Sequence, residues 1–205
     1  MGHTLEAVKN SGLFQTLWVS TDDPEVAQVA KQYGASVHSR PAPLASDTAR
    51  LLDVCLDFTR WLDEQGTPAE TLCLVLPTAA LMQPEDLQKG YALLQERKAD
   101  FCMGITTFLE APFWALKEEG GFLKSFFGTE YLVASQKLPP VWVDSGYFYF
   151  VRVEALRREQ TLYGQKLVGC RIPRERSIDI DEPAHLLIAE ALMDVLERSA
   201  AQVKP

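Results

Sequence analysis

The residues best placed to do chemistry lie in one stretch, Pro173-Arg174-Glu175-Arg176-Ser177-Ile178-Asp179-Ile180-Asp181-Glu182-Pro183. Ser177–Asp181 alternates with the period of an extended chain, so Ile178 and Ile180 share one side and Asp179 and Asp181 the other. Carboxylates at i and i+2 repel each other, and either water or a shared cation must offset that. A hard divalent ion such as magnesium (Mg2+) is held by one or two carboxylates together with substrate phosphates. A second reading needs no ion: Asp181 caps the helix that Pro183 opens, and Asp179 is simply solvated. The spacing leaves both open.

The elements that must hold this stretch can be read in order. Thr4–Ser11 reads as a helix closed by Gly12, and Leu17-Trp18-Val19 as a short strand. Asp23 caps a helix with Pro24 at its first position, and Gly34 ends it. Ala35–His38 is a strand, and Arg40–Leu44, with two prolines, is extended. A long amphipathic helix starts at Asp47, and Gly66-Thr67-Pro68 breaks it. Leu72–Leu76 is a continuous apolar run of the kind buried on both faces, followed by a turn at Pro77–Ala80. Pro84-Glu85-Asp86 opens another helix, and Phe101–Thr107 is the next strand. This rhythm predicts an α/β fold with a mostly parallel sheet covered by helices on both faces. Ligands then sit beyond the carboxyl ends of the strands, at Ser20–Asp23, His38–Arg40, Pro77–Ala80 and Thr106–Glu110.

After Phe108 the rhythm breaks. Residues 109–141 are irregular and aromatic, with Pro112-Phe113-Trp114, Phe126-Phe127-Gly128 and Leu138-Pro139-Pro140. They read as an insertion into one domain spanning 1–205. It packs either on a partner subunit or as a satellite core on its own domain. Trp142–Val151 returns as a strand in which Gly146 marks a close approach of backbone or ligand. Val153–Arg158 is a short helix, Lys166–Ile172 a strand, and Leu186–Leu196 an amphipathic helix before a tail at Ser199–Pro205.

Composition narrows the function classes. The chain has 205 residues, 47% of them hydrophobic, which is enough for a real core. A formal net charge of −8 argues against a general nucleic-acid binder, yet leaves room for a nucleotide substrate held by local cations. Cys55, Cys73, Cys102 and Cys170 form no C-x-x-C pair and read as reduced buried thiols of a cytoplasmic protein. His3, His38 and His185 lack metal-ligand spacing. No run approaches the length of a membrane span, and no signal-peptide segment opens the chain.

Six motifs fall in order: Ser11-Gly12-Leu13-Phe14, Ser20-Thr21-Asp22-Asp23, Arg40–Asp47, Pro84-Glu85-Asp86-Leu87, Pro112–Leu116 and Arg176–Asp181. Together they resemble the cytidylyltransferases that activate nonulosonic acids, namely acylneuraminate cytidylyltransferase (CMP-sialic acid synthetase) and its pseudaminic and legionaminic acid relatives. The resemblance implies a nucleotidyltransferase fold. It implies attack of a nine-carbon sugar acid on the α-phosphate of CTP, with release of pyrophosphate. It assigns Asp179 and Asp181 to catalysis and to Mg2+, Arg40 and Ala49 to the cytosine nucleotide, and Thr78 and Gln136 to the sugar. It also implies that the insertion crosses to a second subunit of a homodimer.

The departures are specific. In the resembled family a strand and a basic, glycine-rich phosphate loop precede the helix that Met1–Ala7 matches, so the chain reads as truncated at its amino end relative to that pattern. Such a strand would be central in the sheet. Leu51 replaces a base-contacting serine, and Ala134 stands where an arginine is expected before Ser135-Gln136. Leu76–Met82 lacks the terminal arginine of the sialic acid enzymes. Asp144-Ser145-Gly146-Tyr147-Phe148-Tyr149 is similar to the Asp-Ala-Gly-x-Phe-Tyr of the pseudaminic branch. Two further readings stand beside the first: a catalytically impaired homologue that keeps the fold for binding or subunit pairing, and a transferase for 3-deoxy-manno-octulosonate.

Overall fold

The computed structural model describes residues 1–202, so Val203–Pro205 of the expected tail lie outside the described residues. The first elements are α1 (Gly2–Asn10), β1 (Trp18–Thr21), α2 (Pro24–Gln32) and β2 (Ser36–Ser39). The Asp23 carboxylate accepts hydrogen bonds from the N–H groups of Glu25 and Val26, as its place before Pro24 predicts. Pro41 is extended, but Ala42–Leu44 then forms a 3-10 turn. The long helix α3 (Leu51–Glu64) begins four residues later than Asp47. A turn closed by Ala49 N–H donating to the Ser46 carbonyl at 3.0 Å occupies the intervening residues, and the helix starts where the apolar period starts.

The remaining elements are β3 (Thr71–Val75), α4 (Pro84–Glu96), β4 (Phe101–Thr106), the hairpin β5 (Leu116–Glu119) and β6 (Phe122–Ser125), β7 (Val143–Arg152), α5 (Val153–Glu159), β8 (Leu167–Arg171) and α6 (Pro183–Gln202). The main sheet runs β3-β7-β4-β8. β8 is parallel to β4, whereas β7 lies antiparallel between β3 and β4, so the α/β expectation holds with a mixed sheet. β7 returns from the insertion rather than from a helical crossover, and so enters from the opposite direction. Side chains alternate across the sheet. Cys73, Val75, Phe148 and Phe150 face α1 and α4, while Leu72, Leu74, Tyr149 and Val151 face α3 and α5.

β1 and β2 pair in parallel with each other and, among the described residues, with no other strand. β3 is therefore an edge. This corrects the expectation that Leu72–Leu76 is buried on both faces: every residue of β3 is only half-buried. The two sheets are held together by side chains. Leu5 of α1 packs with Ala30 and Ala35, while Ala7 and Val8 pack with Phe148. On the other face, Trp61 and Phe58 of α3 contact Trp18 and His38, while Cys55 packs with Tyr149 and Val151.

The other departures are local. α6 continues through the expected tail to Gln202, and its apolar residues are mostly exposed, Leu187 to 68%, with Ala189 buried. In the insertion, Phe113 stacks on Tyr131 with ring centres 4.8 Å apart, yet Phe122 is 75% exposed and Leu123 67%. All four cysteines are free thiols. Burial pushes Cys55 and Cys102 up to about 12 and Cys170 to about 11, which keeps them protonated and unreactive.

Candidate active site

β7 runs antiparallel to β4, so its first residues lie beside the last residues of β4. Asp144 is opposite Ile105, and Arg171 at the end of β8 is opposite Ile105 from the other side. Asp144, Ile105 and Arg171 thus form one row across the carboxyl end of the sheet. The β4–β7 register then jumps, because Met103 faces Tyr149 although Ile105 faces Asp144. The extra residues of β7 bulge out around Gly146, which has φ +67°.

Asp144 organises that bulge. One carboxylate oxygen accepts the Gly146 N–H at 2.9 Å. The other accepts the hydroxyls of Tyr149 and Tyr163, both at 2.6 Å. Burial, and then the hydrogen bond to Asp144, raises the Tyr149 hydroxyl and pushes that of Tyr163 up to about 12. Both phenols stay protonated donors.

Asp179 sits directly on Gly146. A Cβ at Gly146 would lie 3.1 Å from Asp179 Oδ2, so only a residue without a side chain leaves the carboxylate its place. The segment that carries Asp179 is anchored on its amino side. Tyr147 donates its hydroxyl to the Arg176 carbonyl, and the Arg176 guanidinium is buried against Asp86 of α4. Asp86 serves twice, since it also accepts the Gln83 N–H at 2.9 Å and caps α4.

Asp179 and Asp181 are exposed while Ile178 and Ile180 are half-buried, which agrees with the alternation in the sequence. The capping role expected of Asp181 is not what is found. α6 starts at Pro183, so Glu182 holds the capping position, and the Asp181 N–H donates to His185 Nδ1 at 3.3 Å. Among the described residues neither carboxylate is engaged in a hydrogen bond or an ion pair, so their oxygens are available to a cation. Two free carboxylates are a donor set that fits Mg2+ when phosphates complete the shell. Among the described residues no three His, Cys, Asp or Glu side chains gather into a metal-holding group.

Arg40 lies at the end of β2, in a separate cluster. Its Nε donates to Ser20 Oγ at 3.3 Å and its Nη2 to the Ser20 carbonyl. Ser20 Oγ is also 3.0 Å from His38 Nδ1, and the His38 ring packs against both Phe58 and Trp61. Thr78 lies in the turn after β3, where its carbonyl accepts the Ala80 N–H at 2.7 Å. Ala49 lies just ahead of α3. Gln136 is exposed in a 3-10 turn of the insertion. No hydrogen bond among the described residues joins Arg40, Ala49, Thr78 or Gln136 to Asp179. Sequence reasoning quotes Asp86 and Asp144 within motifs but gives no site role to them, to Tyr163 or to Arg171. Asp144 had a signal in its place two residues before Gly146, whereas Tyr163 had none.

A family model described as Cytidylyltransferase matches residues 1–119. The chain is 27% identical over 204 residues to pseudaminic acid cytidylyltransferase of Campylobacter jejuni, covering 98% of this chain and 87% of that protein. It is 27% identical over 197 residues to N-acylneuraminate cytidylyltransferase A of Danio rerio, covering 93% of this chain but only 44% of that protein's length. Among solved structures, CMP:2-keto-3-deoxy-manno-octonic acid synthetase complexed with CTP superposes with a TM-score of 0.67 at 15% identity, over 94% of this chain and 86% of the other. At that identity the superposition speaks for the fold alone.

Proposed function

We propose that this chain, which belongs to the cytidylyltransferase family, transfers a cytidylyl group from CTP to a nonulosonic acid of the sialic, pseudaminic or legionaminic type. The products are a CMP-sugar and pyrophosphate. The observation that carries the reading is the seat of Asp179 on Gly146, at the sheet end where an α/β protein takes its ligand. The names of the relatives support the substrate class.

In this reading Asp179 and Asp181 would hold Mg2+, which when bound neutralises phosphate charge and lowers the pKa of a bound hydroxyl. Arg40 and Ala49 take the cytosine nucleotide, and Thr78 and Gln136 the sugar. Catalysis then rests on positioning and charge neutralisation rather than on a covalent intermediate. The exposed apolar surface of the β5–β6 hairpin supports a homodimer. Four free, unreactive thiols suit a reducing compartment such as the cytoplasm, and no described helix is long and apolar enough to cross a membrane.

The test is pyrophosphate release from CTP with pseudaminic, legionaminic or N-acetylneuraminic acid in the presence of Mg2+. Release that depends on Mg2+ and falls at least about tenfold in Asp179→Asn and Asp181→Asn, a loss of about 1.4 kcal/mol, is expected. No release with any of the three acids would sink the reading. The separation of β1 from β3 favours a second one, a homologue that retains the fold for nucleotide binding or subunit pairing. Cytidine nucleotide binding without turnover would single it out.

A further inference from the structure

A chain of net charge −8 that handles two anionic substrates must present cations where they bind. At the carboxyl end of the sheet most arginines are already engaged. Arg176 is buried on Asp86. Arg174 donates to the Ser177 carbonyl at 3.1 Å. Arg40 is tied to Ser20 through both Nε and Nη2. Arg171 differs: among the described residues its guanidinium takes part in no ion pair or hydrogen bond, and it is exposed. It is nonetheless held in place, because it lies over the Trp142 ring with its Cζ 4.4 Å from the ring centre.

Its position is the second half of the argument. Arg171 and Asp144 flank Ile105 in one row, two inter-strand spacings apart, or about 10 Å. Asp144 holds the bulge on which Asp179 sits. A ligand of sugar size can therefore lie over β4 with its reacting end near Asp179 and another group at Arg171. A planar guanidinium with free donors, stiffened by an indole, matches a carboxylate through two parallel N–H···O bonds.

We propose that Arg171, backed by Trp142, binds the carboxylate of the acceptor sugar acid, an assignment that rests on the cytidylyl transfer proposed above. The family resemblance implies an arginine at position 134, where this chain has alanine, and Arg171 supplies a cation from another element, at the carboxyl end of the sheet.

The experiment compares the full chain with Arg171→Gln and Arg171→Lys, using pseudaminic acid, its methyl ester and CTP as separate variables. Losing a charge-assisted pair should raise KM for the acid roughly ten- to hundredfold, with KM for CTP changed by less than about twofold. The lysine variant should recover part of the loss, since it keeps the charge without the planar fork. The methyl ester discriminates further: the substitution should cost it little, because it has no carboxylate to lose. A rise in KM for CTP instead would mean that Arg171 meets phosphate and would overturn the proposal. So would an equal loss for acid and ester. Normal KM values in Arg171→Gln overturn the inference alone, whereas a parent chain that takes up no sugar acid at all overturns the transfer reaction and the inference together.

Discussion

The Arg176 guanidinium lies bidentate on the Asp86 carboxylate, at 2.6 and 2.9 Å, with only 9% and 3% of the two side chains exposed. One residue belongs to the segment that carries Asp179, the other to the first turn of α4. Asp86→Ala leaves a buried cation without its partner, a situation that costs roughly 3–5 kcal/mol. Urea unfolding of Asp86→Ala should show a loss of that order. A loss below about 1 kcal/mol would mean that the pair does not anchor the segment.

Gly146 is where structure and chemistry meet most closely. Gly146→Ala places a methyl 3.1 Å from Asp179 Oδ2 on a residue with φ +67°. The backbone strain costs about 1–2 kcal/mol, and the carboxylate must move. Half-saturation of activity by Mg2+ should rise several-fold while the chain remains folded by circular dichroism. An unchanged magnesium titration would separate the glycine from the proposed metal site.

Burial holds the His38 imidazole below its ordinary 6.5, with Asp57 acting upward and Arg40 downward. The folded chain therefore resists protonation that the unfolded chain accepts. Stability is full above pH 6.5 and declines as pH falls from there to the folded pKa, below which this residue adds no further loss. Urea midpoints measured across that window should show the decline, and His38→Asn should flatten it. An identical slope in both proteins would assign it to other groups.

The hairpin offers the simplest test of assembly. Phe122 and Leu123 are 75% and 67% exposed. If this surface pairs two chains, Phe122→Ser with Leu123→Ser should convert a dimer to a monomer in light scattering, with little change in the monomer's own thermal midpoint. A parent chain that is monomeric at micromolar concentration would remove the premise.

What could be read in advance follows from what is local. The Asp23-Pro24 cap and the alternation through Asp179 and Asp181 are set within a few residues and appear where expected; a close approach at Gly146 was also expected, although its partner Asp179 was not. Features set by distant partners were not legible. Asp86 reads as an acid at a helix start, and nothing near it announces Arg176, ninety positions away. The half-buried edge at β3 has the same origin, because an apolar run reports its own composition and not the identity of its neighbours. Asp144 is intermediate: its turn to Gly146 is local, but its bond to Tyr163 comes from a loop beyond α5.

The division between the β1–β2 ribbon and the four-stranded sheet has a mechanical meaning. The ribbon carries Arg40 and the larger sheet carries the seat of Asp179, and among the described residues no ladder of amide bonds spans the seam. Interdigitated rings and aliphatic chains, with a few side-chain hydrogen bonds such as Thr4 Oγ1 donating to the Pro77 carbonyl, fix the spacing of these two parts, and such a joint yields to shear far more readily than a continuous sheet. The distance between Arg40 and Asp179 is thus an elastic quantity in this molecule, tuned by the packing of Trp61 and Leu5 as much as by any polar residue.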